Sequence, residues 1–409
     1  MDIFARENYL KKIRGFYHDT GMIKVVTGIR RCGKSCLLQS IVKELEGMGI
    51  PQENIIFINL DKKDFRFVKE PDQLEKLIDS FPAVKGVKYL FIDEIQNVSG
   101  FEELINSYRE EGDYSIFITG SNSYLLSGEL VTKLTGRYIE FEVFPLTFDE
   151  YVEMKKFKNL PVKEDIVAEF DDFMMEGGFP KTLDYKTMED KRTYVKSITE
   201  EIFEKDIKRR VKIRDRASFE TVRKYLMNNF GATVSLSNIL SDLHKSSSNI
   251  TKNTLYRYIQ ILLDAKVLYR CDRFDMKSRK SIRGEEKFYL ADLGFYYAFN
   301  TDNRIQYGPV LENITYIYAK AKGYSISVGR IGKLECDFIL RKGNFDYSYV
   351  QVTLTMMISL ETENREYAPL EMIKDNYPKY ILTRNDLIQK RNGILHRNIG
   401  QFMKDGTLF

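Results

Sequence analysis

Apolar residues in the first third of the chain occur in short runs separated by amphipathic segments. Runs rich in β-branched and aromatic residues predict buried strands at residues 22–27, 54–61, 88–96 and 114–123. Leucine and isoleucine recur at helical spacing from Lys34 to Leu45. Because the predicted strands alternate with helices, the pattern indicates an α/β domain built on a parallel sheet.

The middle of the chain has a helical pattern. Residues 151–215 are amphipathic and rich in Lys, Asp and Glu, and the pair Gly177 and Gly178 breaks them with a turn of structural character. Residues 234–246 and 251–274 then predict a helix, a turn, a second helix and the first of two strands. This is the order of a winged helix-turn-helix.

The last third predicts a second α/β region. A helix at residues 308–323 precedes three strand-like runs at residues 324–330, 333–341 and 347–355. Residues 363–386 add a helix and a further strand, and the neighbouring charges of Arg365 and Glu366 are expected to form an internal ion pair.

Composition places the chain among ordinary soluble globular proteins. It has 409 residues, enough for two or three domains, of which 43% are hydrophobic and 30% charged. It has no apolar run of about 18 residues and no signal-peptide core, so we expect a cytoplasmic protein without a membrane partner. The four cysteines form no C-x-x-C pair and the three histidines are scattered, which argues against structural zinc. A net charge of +4 permits nucleic-acid contact without arguing for it.

The stretch Gly28-x-x-x-x-Gly33-Lys34-Ser35 has the spacing of a phosphate-binding loop, and it stands between a predicted strand and a predicted helix, as such a loop requires. Backbone N–H groups and the helix N-terminus would surround the phosphates. Lys34 would reach the β- and γ-phosphates, and Ser35 would offer its hydroxyl to Mg²⁺. Cys32 has no nucleophilic task in such a loop and is interpreted as a small loop residue. The predicted ATP-binding residues are Gly28, Ile29, Arg30, Arg31, Cys32, Gly33, Lys34, Ser35 and Cys36.

Two acids, Asp93 and Glu94, follow the apolar run that begins at Lys88. In a parallel sheet the carboxyl ends of the strands converge on the ligand. Asp93 is therefore predicted to hold Mg²⁺, directly or through water, and Glu94 to polarise the attacking water. Such an acid pair favours hydrolysis over transfer to another acceptor.

The next predicted strand stops in a polar cluster. Thr119, Ser121 or Asn122 would there hydrogen-bond the γ-phosphate or the attacking water. The alternative is a simple turn, because Gly, Ser and Asn are also the usual turn-forming residues.

Together with the phrases FITGSNS and LTGRYIEFEVFPLTFDEY, these motifs resemble those of the AAA-type ATPases. The later phrases GGFP, KFYLADLGF and GPVLEN extend the resemblance over nearly the whole chain, to the bacterial and archaeal branch that carries a C-terminal domain of unknown function. The phosphate loop and acid pair are shared by many ATPases, whereas the later phrases in combination are specific.

The resemblance implies roles for further residues. Ser121 or Asn122 would occupy the sensor position, and Arg137 would reach a γ-phosphate, either its own or that of a neighbouring copy in a homo-oligomer. Pairing of Arg137 with a surface acid such as Glu140 stays open as the alternative. Two loop residues, Arg30 and Arg31, would touch phosphate or a bound partner.

The predicted winged helix makes DNA a candidate partner. Its second helix would bury Leu255, Tyr258, Ile259 and Leu262 and expose Lys252, Asn253, Thr254 and Arg257. The basic stretches 205–216 and 273–287 would contact a phosphate backbone. Charge runs are also typical of solvated faces, and a winged helix can instead bind an unidentified protein or serve as a lid.

The helix and three strands of the last third resemble the core of the restriction-endonuclease-like fold. The resemblance implies a divalent-metal site at Glu312, Asp337 and Gln351. Thr353 stands where that family has its lysine, so a lysine from elsewhere, such as Lys333, would have to substitute. Strand alternation places Glu335 on the same face as Asp337. The region is therefore either an active nuclease or a domain kept for binding or packing.

We accordingly predict an α/β protein with four regions: a P-loop ATPase core at 1–150, a helical lid and connector at 151–215, a winged helix at 216–295 and a restriction-endonuclease-like domain at 296–409. The predicted function is ATP hydrolysis with Mg²⁺, coupled to conformational change. A nucleotide-gated scaffold with negligible turnover and an ATP-coupled DNA nuclease are the alternatives.

Overall fold

The computed structural model describes most of the chain. The described residues are 3–82, 85–120, 133–208, 211–213, 215–245, 250–278, 280–300, 307–344, 346–356 and 359–409. The chain forms two compact units. The first unit comprises Met1–Phe144, Ile202–Arg210 and Asp264–Lys266, and the second comprises Pro145–Glu201, Val211–Leu263 and Val267–Phe409.

The first unit is built on a five-stranded parallel sheet in the order β2-β3-β4-β1-β5. Its strands are β1 (Ile23–Thr27), β2 (Ile55–Asn59), β3 (Lys88–Asp93), β4 (Tyr114–Thr119) and β5 (Tyr138–Glu142). The central strands β1 and β4 are buried along their whole length, as expected for parallel strands covered on both faces. The predicted α/β class is confirmed.

Alternation of side chains along these strands gives the sheet two different buried faces. One face carries a row of stacked rings, with ring centroids 6.0 Å apart for Phe57 and Phe91 and 4.7 Å apart for Phe91 and Phe117. The other face is aliphatic and includes Ile58 and Ile92. Among the described residues, the helices of this unit are Glu7–Ile13, Lys34–Gly47, Pro71–Asp79 and Phe101–Glu111, with short 3₁₀ turns at Arg14–Phe16, Gln52–Asn54, Lys63–Phe65 and Ile95–Asn97.

The second unit contains a nine-stranded mixed sheet in the order β13-β14-β12-β11-β10-β9-β7-β8-β6. Its strands are β6 (Thr233–Val234), β7 (Leu268–Asp275), β8 (Lys280–Leu290), β9 (Ser325–Ile331), β10 (Leu334–Lys342), β11 (Asp346–Thr353), β12 (Lys379–Thr383), β13 (Lys390–Arg391) and β14 (Ile394–Asn398). Parallel pairing of β7 with β9 joins the hairpin β7–β8 to the C-terminal strands. The strands before residue 295 and the strands after residue 296 therefore belong to the same nine-stranded sheet, although a domain boundary was predicted between these two residues.

The helices of the second unit are Phe148–Phe157, Ile166–Glu176, Met188–Glu201, Arg216–Asn228, Leu236–Lys245, Lys252–Asp264, Leu293–Phe299, Tyr307–Ala321, Leu360–Met372 and Ile399–Lys404, with a 3₁₀ turn at Pro180–Asp184. A π-helix at Ile202–Ile207 belongs to the first unit. Between residues 216 and 290 the order is helix, short strand, helix, helix and antiparallel hairpin.

The two compact units and the four predicted regions divide the chain at different positions. The first boundary falls after Phe144, near the predicted end of the ATPase core at 150, but two short segments from farther along the chain return to the first unit. Residues predicted as lid, winged helix and C-terminal domain share the second unit. Within the described part of the chain, no helix has both the length and the apolar character needed to cross a membrane.

Candidate nucleotide site

The backbone of the phosphate loop depends on two glycines. Gly28 has φ +134° and Gly33 has φ +108°, in the region that side chains with a Cβ atom rarely adopt. A Cβ atom at Gly28 would also lie 2.1 Å from the carbonyl oxygen of Val143, just after β5. The helix Lys34–Gly47 begins directly after Gly33, so that its N-terminal N–H groups face the loop.

Side chains on both sides hold the loop in place. The ammonium group of Lys34 donates to the carbonyl oxygens of Gly28 and Ile29, at 2.9 and 3.3 Å. The buried guanidinium of Arg6 donates from Nη1 to the carbonyl oxygens of Cys32 and Phe144, at 3.0 and 2.7 Å. Arg6 lies outside the motif, and nothing in the sequence pattern singled it out.

Other loop residues differ in exposure. Ile29 and Cys32 are fully buried, in agreement with the interpretation of Cys32 as a small loop residue. Burial raises the pKa of the Cys32 thiol, which keeps it protonated. Arg31, with φ +68°, and Cys36 are exposed.

Asp93 is held from two neighbouring strands. It ends β3 and is 1% exposed. One carboxylate oxygen accepts from Asn59 Nδ2 at 2.7 Å, and the other accepts from Thr119 Oγ1 at 2.5 Å. Asn59 and Thr119 are the last residues of β2 and β4, the two strands that flank β3. The carboxylate therefore faces the carboxyl edge of the sheet in a fixed orientation.

Glu94 has a strained backbone. Its φ of +61° and ψ of +45° place it in the left-handed region, where a residue other than glycine or asparagine is uncommon. Its N–H donates to Thr119 Oγ1 at 3.1 Å, and its carboxylate accepts from Gln96 Nε2. Strain of this kind persists where the surroundings fix the conformation, and it is typical of active sites.

The phosphate loop and the acid pair share one edge of the sheet. The loop follows β1, Asp93 ends β3, and β4 lies between them, with all three strands parallel. Carboxylate and hydroxyl oxygens are the ligands that Mg²⁺ takes in proteins, so Asp93 and Ser35 suit the ion chemically. This edge brings together a basic phosphate-binding loop, a carboxylate and a second acid.

The other predicted site residues lie elsewhere. Arg137 precedes β5, and its carbonyl oxygen accepts from the N–H of Ile23 at the start of β1, so it lies at the amino edge of the sheet. Its exposed side chain is thus at the edge opposite to the phosphate loop of the same chain. Glu140, the suggested partner of Arg137, accepts from Thr27 Oγ1 at 2.6 Å. Ser121 and Asn122 lie outside the described residues.

The second predicted site, in the other unit, contains a buried lysine. Lys287 Nζ lies 2.9 Å from Glu312 Oε2 and 2.9 Å from Glu335 Oε1. Burial alone would lower the pKa of Lys287, but the carboxylates of Glu312, Asp337 and Glu335 outweigh it and hold that pKa above its usual range. The lysine among these acids therefore comes from β8, whereas Lys333, the suggested substitute, is exposed.

Asp337 and Gln351 lie beside this cluster. Burial and the carboxylate of Glu312 raise the pKa of Asp337 well above its ordinary value. Asp337 accepts from the N–H of Val352 at 2.8 Å, and Gln351 Nε2 donates to Glu366 at 3.1 Å. Glu366 also pairs with Arg365, as predicted. Among the described residues, no group of three or more His, Cys, Asp or Glu side chains has the arrangement of a metal site.

The residues predicted to face DNA differ in their exposure. On the helix Lys252–Asp264, Lys252, Asn253 and Arg257 are exposed and Thr254 is half-buried, while Leu255, Tyr258, Ile259 and Leu262 are buried as predicted. Within the basic stretch 273–287, the predicted contact with DNA was wrong for Arg273 and Lys287. Arg273 is largely buried and pairs with Glu285 and Glu335, and Lys287 is buried and pairs with Glu312 and Glu335, so both side chains bind carboxylates of the same chain.

Comparison with known proteins defines the class. Residues 20–152 match the family model of an AAA domain, and residues 167–304 match a domain of unknown function (DUF8612). The Walker-type ATPase of Pyrococcus abyssi is similar in structure, with a TM-score of 0.52, 18% identity and coverage of 73% of this chain and 96% of that one. The first unit thus has the fold of an AAA-type P-loop ATPase.

Two uncharacterized proteins are similar over most of their length. One from Haemophilus influenzae is 33% identical over 387 residues, which is 93% of each chain. One from Methanocaldococcus jannaschii is 29% identical and covers 89% of this chain and 82% of its own. The protein belongs to the family of the Haemophilus protein.

Proposed function

We propose that the protein hydrolyses ATP with Mg²⁺ at the carboxyl edge of the five-stranded sheet. The observation that carries this proposal is the acid pair after β3, at the same edge as the phosphate loop and fixed by Asn59 and Thr119. Binding alone needs the loop and a metal ligand. The second acid, Glu94, has the left-handed backbone that is often found at active sites, and this supports a catalytic task for it.

Each residue has a separate task in this proposal. The loop N–H groups and Lys34 bind the phosphates, and the Lys34 ammonium leaves the carbonyl oxygens of Gly28 and Ile29 to do so. Ser35 and Asp93 would hold Mg²⁺, which neutralises phosphate charge as it develops. Glu94 orients the attacking water and accepts its proton, while Gln96 and Thr119 orient Glu94.

Steady-state hydrolysis and nucleotide binding test this assignment together. Glu94→Gln should lower turnover by on the order of 100-fold or more while nucleotide still binds, because only proton acceptance is lost. Lys34→Ala should lose binding and turnover. Lys43→Ala and Glu46→Gln, exposed on the helix Lys34–Gly47, are matched controls that should retain both. Unchanged turnover in Glu94→Gln would refute the assignment.

A nucleotide-gated scaffold is the alternative within the same site. There ATP would bind and bias the conformation with negligible turnover. Single-turnover measurements separate the two, because a switch retains intact ATP for hours whereas a hydrolytic site converts it to ADP. If bound ATP stays intact and raises the melting temperature of the protein, the result would favour the scaffold.

We further propose that residues 216–290 form a winged helix that contacts DNA. The order helix, strand, helix, helix and hairpin supports the fold, and Lys252, Asn253 and Arg257 are the exposed groups at the start of its candidate recognition helix. The affinity for duplex DNA should be lower in Lys252→Ala. The slope of log K against log salt concentration should also become shallower by about one unit. The exposed Lys245→Ala is the control. Equal binding by both variants would exclude this surface.

For the C-terminal acid cluster we propose a structural role in preference to DNA cleavage. Lys287 bridges Glu312 and Glu335, and the cluster lacks a metal-binding arrangement among its described residues. An ATP-coupled nuclease would instead cleave DNA with Mg²⁺ or Mn²⁺ and lose cleavage, but not ATP hydrolysis, in Asp337→Ala. Cleavage with that signature would overturn the structural assignment.

A further inference from the structure

Arg30, inside the phosphate loop, is bound by an acid from a distant part of the sequence. Its Nε donates to Asp206 Oδ2 at 2.9 Å and its Nη2 donates to Asp206 Oδ1 at 2.6 Å. The two side chains are only 11% and 8% exposed. A two-point arginine–carboxylate pair is strong and fixes the relative orientation of its partners, particularly where little water competes.

Asp206 lies in the π-helix Ile202–Ile207. Its neighbours Ile202, Phe203 and Ile207 are buried, and the N–H of Lys208 donates to the carbonyl oxygen of Phe203 at 2.8 Å. Helical turns of this wide type are rare and occur frequently at functional sites. The segment belongs to the first unit, although the chain on either side of it belongs to the second.

The pair adds a third support to the loop. Lys34 binds the loop carbonyl oxygens from within, and Arg6 binds that of Cys32 from the N-terminal helix region. Arg30 lies between Gly28 and Arg31, two residues with positive φ, and its guanidinium attaches this first half of the loop to the segment that carries Asp206. An organised loop loses less conformational entropy when it binds phosphate.

We propose that Asp206 is a positioning residue for the nucleotide site: it holds the phosphate loop through Arg30 and so links nucleotide binding to the segment 202–208. The inference rests on the proposed ATP site. From the sequence, Arg30 was expected to touch either phosphate or a bound partner. The proposal instead makes Asp206 the residue that Arg30 binds. Because linkage is reciprocal, bound nucleotide also stabilises the π-helix.

The direct test compares Asp206→Asn with Asp206→Glu. The asparagine variant keeps the size of the side chain but loses the charge that pairs with Arg30. We expect its KM and nucleotide dissociation constant to rise by on the order of tenfold, the range of coupling between linked sites, with kcat within about twofold. The glutamate variant should recover most of the affinity. The double variant Asp206→Asn, Arg30→Gln should lose no more nucleotide affinity than either single variant, because both changes break the same pair.

Hydrogen exchange makes the test independent of hydrolysis. In nucleotide-free protein, Asp206→Asn should speed exchange in residues 28–36, and added ATP should protect residues 202–208 in the wild type but not in Arg30→Gln. The matched control is Glu204→Gln, which removes the exposed Glu204–Lys208 pair of the same segment and should change neither readout.

The outcomes separate the two proposals. Wild-type protein that binds no nucleotide, yet shows faster loop exchange in Asp206→Asn, would refute the ATP site and keep the positioning role. Unchanged loop exchange in Asp206→Asn would overturn the positioning role whatever the activity. Tighter nucleotide binding in Asp206→Asn would also overturn it, because Asp206 would then compete with phosphate for Arg30.

Discussion

A single methyl group at Gly28 would clash with the backbone just after β5. The Cβ atom of alanine would lie 2.1 Å from the carbonyl oxygen of Val143 and 2.9 Å from Cys32 Sγ, at a φ of +134°. Gly28→Ala should therefore displace the loop and abolish nucleotide binding, measured by titration with a fluorescent ATP analogue. Gly47→Ala is the control, because nothing lies within 4 Å of its Cβ position and alanine favours a helix. Normal ATP affinity in Gly28→Ala would contradict the loop geometry.

At the same scale, Lys287 is a buried cation that pairs with the partly buried carboxylates of Glu312 and Glu335. Lys287→Met should lower the free energy of unfolding by up to about 3–5 kcal/mol, because the largely buried carboxylate of Glu312 would lose the ammonium group that pairs with it. Chemical denaturation measures the change, and a second substitution, Glu312→Gln, should recover part of it. Lys245→Met, which breaks the exposed pair with Asp242, should change stability by less than about 1 kcal/mol. Equal effects of the two lysine substitutions would refute this account.

Among the elements, the turn at Gly177 and Gly178 depends on Asp292. One Asp292 carboxylate oxygen accepts from the N–H of Gly178 at 2.5 Å, and the other accepts from that of Gly294 at 2.7 Å. A Cβ atom at Gly178 would lie 2.3 Å from the carbonyl oxygen of Leu146. These contacts fix the turn in the way that the predicted structural role requires.

Burial raises the pKa of Asp292 to about 7, although its two backbone donors lower it. Between about pH 4 and pH 7 the folded state therefore binds a proton that the unfolded state releases, and the contribution of Asp292 to stability falls as the pH rises. The fall is at most about 1.4 kcal/mol per pH unit. Between about pH 4 and pH 7, the denaturation midpoint should fall less with rising pH in Asp292→Asn than in the control Asp272→Asn, whose side chain is exposed. Parallel profiles would contradict the assignment.

At the scale of the whole molecule, nucleotide should stabilise the first unit selectively. With Glu94→Gln to prevent turnover, ATP at about 100 times its dissociation constant adds about 2.7 kcal/mol, which corresponds to a shift of about 5–10 °C for a domain of this size. Calorimetry should show the shift in the transition of the five-stranded unit. Lys34→Ala is the control that should not respond, and an equal shift in that variant would place the nucleotide elsewhere.

Arg137 lies at the edge of the sheet opposite to its own phosphate loop, so we expect any action on phosphate to be in a neighbouring copy. If it does, turnover per chain should rise with protein concentration, and a mixture of Arg137→Ala with Lys34→Ala should regain activity that neither has alone. The measurement is the hydrolysis rate of the mixture, with sedimentation to report assembly. Full activity of Arg137→Ala would exclude the role.

The sequence by itself determined the elements around the phosphate loop. The apolar strand from Ile23, the loop from Gly28 to Ser35 and the helix after it are local in sequence, so spacing and periodicity were sufficient to predict them. Asp93 was predictable for the same reason, because the apolar strand that carries it ends at a polar edge. The predicted strands and helices of the last third also lie within a few residues of those in the structure.

Only the tertiary structure decided which distant residues complete each site. Asn59 reaches Asp93, Arg6 supports Cys32, and Asp206 binds Arg30, all across sequence separations that leave no periodic signal. Lys287 looked like part of a surface basic stretch, whereas pairing of β7 with β9 makes it an internal cation. Local pattern specifies elements because side-chain spacing repeats along one segment, but the partner of a buried charge depends on how separate segments meet.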